Sequence, residues 1–356
     1  MSKINRKILI IINAALLIIS AACCIGIYKN SRTFLNPKEY ERWRGDRDIE
    51  FTQLSMFIPS SDNISTAEIN AYRTSMQEAF KKENIIEDTS DKIFVDCWSL
   101  NSSCNIVTDK AHTEASVIAV GGEFFDFHPI TLLSGQYISE DDYLNDWVIL
   151  DEELAWYLFG SSDVVGLSVN IDAQTFYIAG VIDREDDKAS TTAYSGGMGL
   201  YMPYDAYKYI HENDAPVTCY EVVMPDPVKN YALNLAKEKF PSKKCEIIVN
   251  KDRFKTSNLI TVTKNLPSRA MNSSVPYPYW ENAIRYSENI SAVLLIFAVL
   301  ALIFPLITLI WLLIKGIKAG RSKLGENIIP DLKDNIEESI RVRQRARWEK
   351  KHPGQK

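Results

Sequence analysis

Two uncharged apolar runs, Ile8 to Ile27 and Ile290 to Ile314, constrain this chain more than any other feature of it. Each reaches the roughly 20 residues that a helix needs to cross a hydrocarbon core. A soluble cytoplasmic protein is therefore excluded, and one large loop held between two membrane helices is expected. Bulk composition hides this, because 24% charged and 46% hydrophobic residues over 356 positions would suit one large domain or two ordinary ones. With 15 Gly, 14 Pro and plentiful aromatic residues, collagen-like, low-complexity and wholly disordered chains are excluded too.

Charge beside the runs predicts the orientation. Lys3, Arg6 and Lys7 precede the first; Lys315, Lys318, Arg321 and Lys323 follow the second, with no acid before Glu326. Basic flanks stay in the cytoplasm. The expected organisation is a cytoplasmic N-terminus (1–7), a first membrane helix (8–28), an extracytoplasmic domain with helical stalks (29–288), a second membrane helix (289–314) and a basic cytoplasmic tail (315–356). Residues 1–7 carry +3 and 315–356 carry +6, so a formal total of −6 leaves −15 for the stretch between them. Nucleic acid is not an expected partner of so acidic a body. The short basic start and Ala21, Ala22 and Cys23 also resemble an export signal, but the apolar stretch is longer than a signal core. Ser20 stands where a lipoprotein signal needs a branched aliphatic residue. A retained anchor is expected, with Cys23 and Cys24 as apolar fillers.

Cys97, Cys104, Cys219 and Cys245 fall in the exported stretch, where an oxidising compartment favours pairing. Of three possible connectivities, Cys97 with Cys104 and Cys219 with Cys245 join nearest neighbours; free buried thiols are the alternative. No C-x-x-C spacing or nearby histidine pair supports a metal site.

Within the loop, the charged stretch Asn30 to Asp48 suits a helical extension or a solvated connector. A strand at Ile49 to Phe57 precedes a helix opened by the capping box Ser65 and Glu68, whose apolar face is Ile69, Tyr72, Met76 and Phe80. Short strands follow at Lys92 to Leu100, Asn105 to Asp109 and Thr113 to Val120. Trp147 to Leu150 reads as a buried strand entering a helix capped by Asp151, and Gly166 to Ile171 with Thr175 to Ile182 as a hairpin. A strand at Gly199 to Met202 leads through Pro203 to a helix at Tyr204 to Ile210. Then come a strand at Cys219 to Met224, a helix at Val228 to Phe240 and a strand at Cys245 to Val249. Phe254 to Leu266 has helical spacing, and Trp280 to Glu288 runs without a breaker into the second apolar run, which holds Pro305. Helices mixed with strands of both kinds make the extracytoplasmic domain α+β.

The segments VIAVGGEFFDFHPITLLSGQYIS, from Val117 to Ser139, and DDYLNDWVILDEELAWYLFGSSDVVGLSVNIDAQTFYIAGVIDRE, from Asp141 to Glu185, resemble the extracytoplasmic core domain of MacB-like ABC transporter permeases. The features in shared order are a doubled aromatic after a strand (Gly122 to Phe125), a glycine turn (Leu133 to Gly135), a strand entering a helix that closes on Phe159 and Gly160, and a hairpin ending at Val181. The resemblance covers about Phe51 to Tyr209. It implies a bacterial cell membrane location, and an ABC ATPase subunit as partner. The family places one membrane helix before this domain and three after it, whereas one follows it here, which implies a second permease chain for any transport path. The aromatic cluster Phe124, Phe125 and Phe127 is too closely spaced for one face, so some rings pack inward and another wedges under a neighbour. Gly135 and Gly160 suit positive φ.

Chemistry is sparse. Gly316 and Gly320 imitate a phosphate loop with the wrong spacing and no preceding strand. His112, His128, His211 and His352 are scattered. The acidic runs at 140–142 and 185–187 lack a calcium-loop pattern, and Ser195 with Gly196 and Gly197 lacks a nucleophile context. Neither an enzyme nor a bound cofactor is expected. In the tail, Ile329, Leu332, Ile336 and Ile340 repeat at helical spacing ahead of Arg341, Arg343, Arg345 and Arg347. By resemblance this helix is a contact for the ATPase; adsorption to anionic membrane lipid is the rival. Two functions follow: a permease-type subunit coupling a cytoplasmic ATPase to motion of the outer domain for export or mechanotransmission, or a membrane-anchored binding or sensor module without an ATPase.

Overall fold

Alternating apolar residues build a sheet first. The computed structural model describes residues 3–34, 38–45, 47–86, 93–138, 144–194, 197–211, 215–266, 277–323 and 329–351. Its strands are β1 (Phe51–Phe57), β2 (Val95–Val107), β3 (His112–Gly122), β4 (Thr131–Gly135), β5 (Trp147–Asp151), β6 (Ser168–Ile171), β7 (Gln174–Asp183), β8 (Gly199–Pro203), β9 (Cys219–Pro225) and β10 (Glu246–Val249). They form one ten-stranded sheet in the order β10-β1-β9-β2-β3-β8-β5-β7-β4, with β6 bridging β2 and β7. The pairs β3/β8 and β5/β7 are parallel, which makes the sheet mixed. The helices are α1 (Lys3–Thr33), α2 (Glu39–Arg44), α3 (Thr66–Lys82), α4 (Phe124–Phe127), α5 (Glu152–Phe159), α6 (Lys188–Ala193), α7 (Tyr204–Ile210), α8 (Tyr231–Lys239), α9 (Thr256–Asn265), α10 (Tyr279–Lys323) and α11 (Ile329–Lys351).

The two faces of the sheet bury different sets. Leu54 and Met56 point to the side covered by Ile69, Tyr72, Met76 and Phe80 of α3 and by Phe240. Phe51 and Phe57 point to the other, with Phe124, Phe127 and Trp280. The odd and even residues of β1 therefore separate the two cores, as the two-residue period requires. Tyr72 meets Tyr220 and Phe240 edge to face at 5.7 and 5.1 Å, a geometry that aromatic quadrupoles favour.

Local sequence signals explain the element ends. Glu68 Oε2 accepts from the Ser65 N–H at 2.9 Å, closing the capping box of α3. Asp151 caps α5 by accepting the Leu154 N–H at 2.7 Å. Gly135 and Gly160 adopt φ of 79° and 73°, as their turns demand. Phe124 and Phe127 are buried, while the half-buried Phe125 stacks on Tyr137 at 4.8 Å, so the aromatic cluster divides as its spacing predicts.

Several expectations need correction. The strands expected at Lys92 to Leu100 and Asn105 to Asp109 are one strand, β2, although Lys92 lies outside the described residues. The polar stretch Asn101 to Ser103 does not interrupt it, because each of those residues pairs with β3. The helix expected from Val228 begins at Tyr231, after Asn230 takes a left-handed φ of 66°. The short elements β4, α4 and α6, of five, four and six residues, were also not expected. All six cysteines are free, against the disulfides expected between Cys97 and Cys104 and between Cys219 and Cys245. Cys97 and Cys104 lie on one extended strand, seven steps or about 23 Å apart, far beyond the span of a disulfide. Cys219 packs in the Phe124 core and Cys245 against the Tyr72 core, on opposite faces of the sheet.

The chain divides into two units, Gly26–Leu294 and the set Met1–Ile25 with Leu295–Lys356. In the second, Thr308 Oγ1 donates to Asn13 Oδ1 at 2.7 Å. The stretches Arg6–Thr33 and Tyr279–Ala319 are long and apolar enough to cross a membrane, and the most apolar 18-residue window of each is only 11% buried. α11 realises the expected tail helix, with Leu332, Ile336 and Ile340 exposed.

Candidate functional site

Both apolar helices flank the sheet domain in sequence, so the residues fixing the start of α10 decide how that helix is held. Its first turns meet the sheet face on β1, β9 and β10. On β9, Glu221 faces Ser55 of β1 in register. Ser55 Oγ donates to Glu221 Oε1 at 2.5 Å, and His128 Nε2 lies 2.6 Å from Glu221 Oε2. α4 delivers that imidazole, and its ring sits between Phe124 and Trp280 at centroid distances of 4.5 and 4.4 Å. Trp280 belongs to the first turn of α10.

A second cluster, buried at Asn250, Arg253, Glu281 and Glu288 and open at its Glu246 edge, continues from there. Asn250 Nδ2 donates to Ser55 Oγ at 2.8 Å, and Arg253 Nη1 donates to Asn250 Oδ1 at 3.2 Å. Arg253 then grips α10 with three bonds: Nη1 and Nη2 donate to the two Glu281 oxygens at 2.7 and 2.8 Å, and Nε to Glu288 at 2.7 Å. Arg285 donates to Glu281 at 2.9 Å and to Glu246 of β10 at 2.6 Å, and its guanidinium lies 3.6 Å from the Tyr277 ring centroid. Glu281, Arg285 and Glu288 recur at spacings of 4 and 3, which puts all three on one helix face. Arg253 is 5% exposed, Glu281 1% and Glu288 5%, so loss of one partner would strand a charge without water. Burial alone would lower the Arg253 pKa, but the Glu281 and Glu288 charges and their hydrogen bonds outweigh it and raise the value. Arg253 therefore stays cationic.

Aromatic residues secure the other flank. Tyr279 stacks on Tyr194 at 4.3 Å, and its hydroxyl lies 3.0 Å from that of Tyr201. Tyr194 in turn donates to Glu185.

Cys97, His128 and Glu221 place three ligand atoms within 4.8 Å of one another, a grouping that chain spacing conceals because they come from two neighbouring strands and a distant turn. The set has the donor types of a zinc site. Both Glu221 oxygens already accept hydrogen bonds, from Ser55 and His128, and burial followed by the Glu221 charge pushes the Cys97 thiol well above its ordinary range. The arrangement is a satisfied polar core. Of the acidic runs, Asp187 caps α6 by accepting from Ala189 at 2.9 Å, while the run at 140–142, His352, Ser195 and Gly196 lie outside the described residues. The anchoring set of Asn250, Arg253, Glu281, Arg285 and Glu288 was not legible in the sequence, where it resembles scattered surface charge. The one available signal was three charged residues on a single face of a helix about to enter an apolar run.

The model of the MacB-like periplasmic core domain matches residues 49–233. Over 106 residues the chain is 27% identical to the macrolide export ATP-binding/permease protein MacB of Aggregatibacter actinomycetemcomitans, a stretch that is 29% of this chain and 16% of that protein. Among solved structures, the periplasmic region of MacB from Actinobacillus actinomycetemcomitans matches at 17% identity and a TM-score of 0.42, covering 66% of this chain and 99% of that one. The extracellular domain of the noncanonic ABC-type transporter YknZ from Gram-positive bacteria matches at 14% identity and a TM-score of 0.39, covering 56% and 99%. Arg253, Glu281 and Glu288 lie beyond the matched stretch, which ends in α8. With residues 49–233 of 356 matched, the chain belongs to the MacB-like periplasmic core domain family.

Proposed function

We propose that this chain is a permease-type membrane subunit that works with a cytoplasmic ABC ATPase and a second permease chain, passing motion between that ATPase and an outer sheet domain. The observation that carries the reading is α10 itself. One helix, Tyr279–Lys323, holds both the buried ion-pair cluster at Glu281 and Glu288 and the apolar run from Ile290 to Ile314. A helix clamped by charges that are costly to separate moves with the sheet that clamps it. The basic flanks support an orientation with both termini in the cytoplasm and the acidic body outside. ATP is bound by the partner alone, and the exposed apolar and arginine residues of α11, Leu332 to Arg347, are the proposed contact with it.

The test is purification at native expression in mild detergent. An ATPase should copurify with the full chain and be lost on deletion of residues 327–356, while the outer domain keeps its thermal transition. Recovery of the intact chain without any ATPase would favour a membrane-anchored binding or sensor module.

A further inference from the structure

A cavity of about 400 Å³ opens where α1 ends, between its last turn and the segment that carries Arg253. Arg32, Lys38, Arg253 and Lys255 line it, with Glu41 and Asp252 as the acids. Arg253 is already neutralised by Glu281 and Glu288, and Lys255 pairs with Asp252 at 2.6 Å. That leaves Arg32 and Lys38 facing a single carboxylate, Glu41. Lys38 donates once, to the Ser31 carbonyl at 2.8 Å, and the Arg32 guanidinium lies 5.4 Å from the Tyr28 ring centroid. Neither cation has an ion-pair partner among the described residues. An ammonium carries three donors and a guanidinium five, so most of their donors remain to be used.

Position fixes the kind of anion. The apolar run ends at Ile27, and Arg32 lies five helical residues further, about 7 Å along the axis. The headgroup layer occupies about 5–8 Å beyond each side of the hydrocarbon. We infer that the cavity formed by Arg32, Lys38 and Tyr40 holds the phosphate of a net-anionic glycerophospholipid headgroup in the outer leaflet. One phosphodiester charge balances the one excess cation, and the volume suits a glycerol-phosphate headgroup. Zwitterionic lipid fits less well, because its ammonium would meet the same two cations. Burial, and after it the Arg32 charge, lower the Lys38 pKa against the opposing Glu41 charge. Because Asn250 and Arg253 share this cavity wall, a bound headgroup would rest against the segment that clamps α10.

The inference depends on α1 spanning the membrane, so the test separates the two claims. Full chain is first assembled into lipid nanodiscs; failure to enter them contradicts the membrane reading and the lipid site together. Chain recovered from discs of equal phosphatidylglycerol and phosphatidylcholine is then examined by native mass spectrometry. One phosphatidylglycerol should be retained in preference to phosphatidylcholine, and Arg32→Gln with Lys38→Gln should weaken retention about thirtyfold, as two lost basic contacts would. Lys38→Arg should keep it, and Lys255→Gln, whose cation is already paired, should change it less than twofold. Equal retention by wild type and the double variant would overturn the site. Displacement of the lipid by millimolar inorganic phosphate would overturn the lipid as occupant and leave a free-anion site.

Discussion

Arg253 holds two carboxylates of one helix in a place where water cannot reach them, and that makes it the most consequential single residue in the outer domain. Arg253→Met should destabilise the unit by about 3–5 kcal/mol, because Glu281 and Glu288 are left buried without a counter-charge. Adding Glu281→Gln and Glu288→Gln to it should restore part of the loss, and a thermal melt of the full chain in detergent reads both. The thiols give a second check. Burial pushes Cys104 up to about 12 and raises Cys97 and Cys219 well above the ordinary thiol range, so none of the three should alkylate in the folded protein at pH 8. All six cysteines should alkylate after unfolding without reductant, and a shortfall of two would indicate a disulfide. Sequence reasoning failed on these residues for one physical reason. Nearest-neighbour pairing of cysteines ignores the face of the strand, and Cys97 with Cys104 differ by an odd number of positions.

Elements with strong local signals were readable. The capping box at Ser65 and Glu68 and the Asp151 cap rest on hydrogen bonds within three residues, so α3 and α5 begin where composition places them. Ser65→Ala should lower stability by about 1 kcal/mol in a denaturant titration. Elements whose existence depends on distant partners were not readable: β4 is completed by β7, nearly fifty residues later in the chain, and α6, despite its local Asp187 cap, packs on Tyr279 and Ala283 far along the chain. α10 combines both kinds. Its length was evident from the absence of a breaker between Trp280 and Ile290, whereas its clamp came from Asn250 and Arg253 on a turn that periodicity does not describe. Two glycines inserted between Glu288 and Ile290 should leave the thermal transition of the outer domain within about 1 kcal/mol of wild type while decoupling it from the membrane helix.

At the scale of the whole molecule, the two apolar runs and their basic borders suggest an acidic body outside the cell. A reporter fused after Lys356 should then be active only if it folds in the cytoplasm, and protease added to intact cells should cut between Tyr28 and Glu288. The family domain covers strands β1 to β9, while β10, the clamp and both apolar helices lie outside it. The coupling claim therefore rests on this chain's own residues. Hydrogen exchange of the α10 foot, residues 279–288, tests it most directly, in the complex purified from native membranes with and without ATP and magnesium. The account predicts a nucleotide-dependent change in protection there that disappears when residues 327–356 are deleted. Identical protection with and without nucleotide, in a complex that hydrolyses ATP, would contradict it.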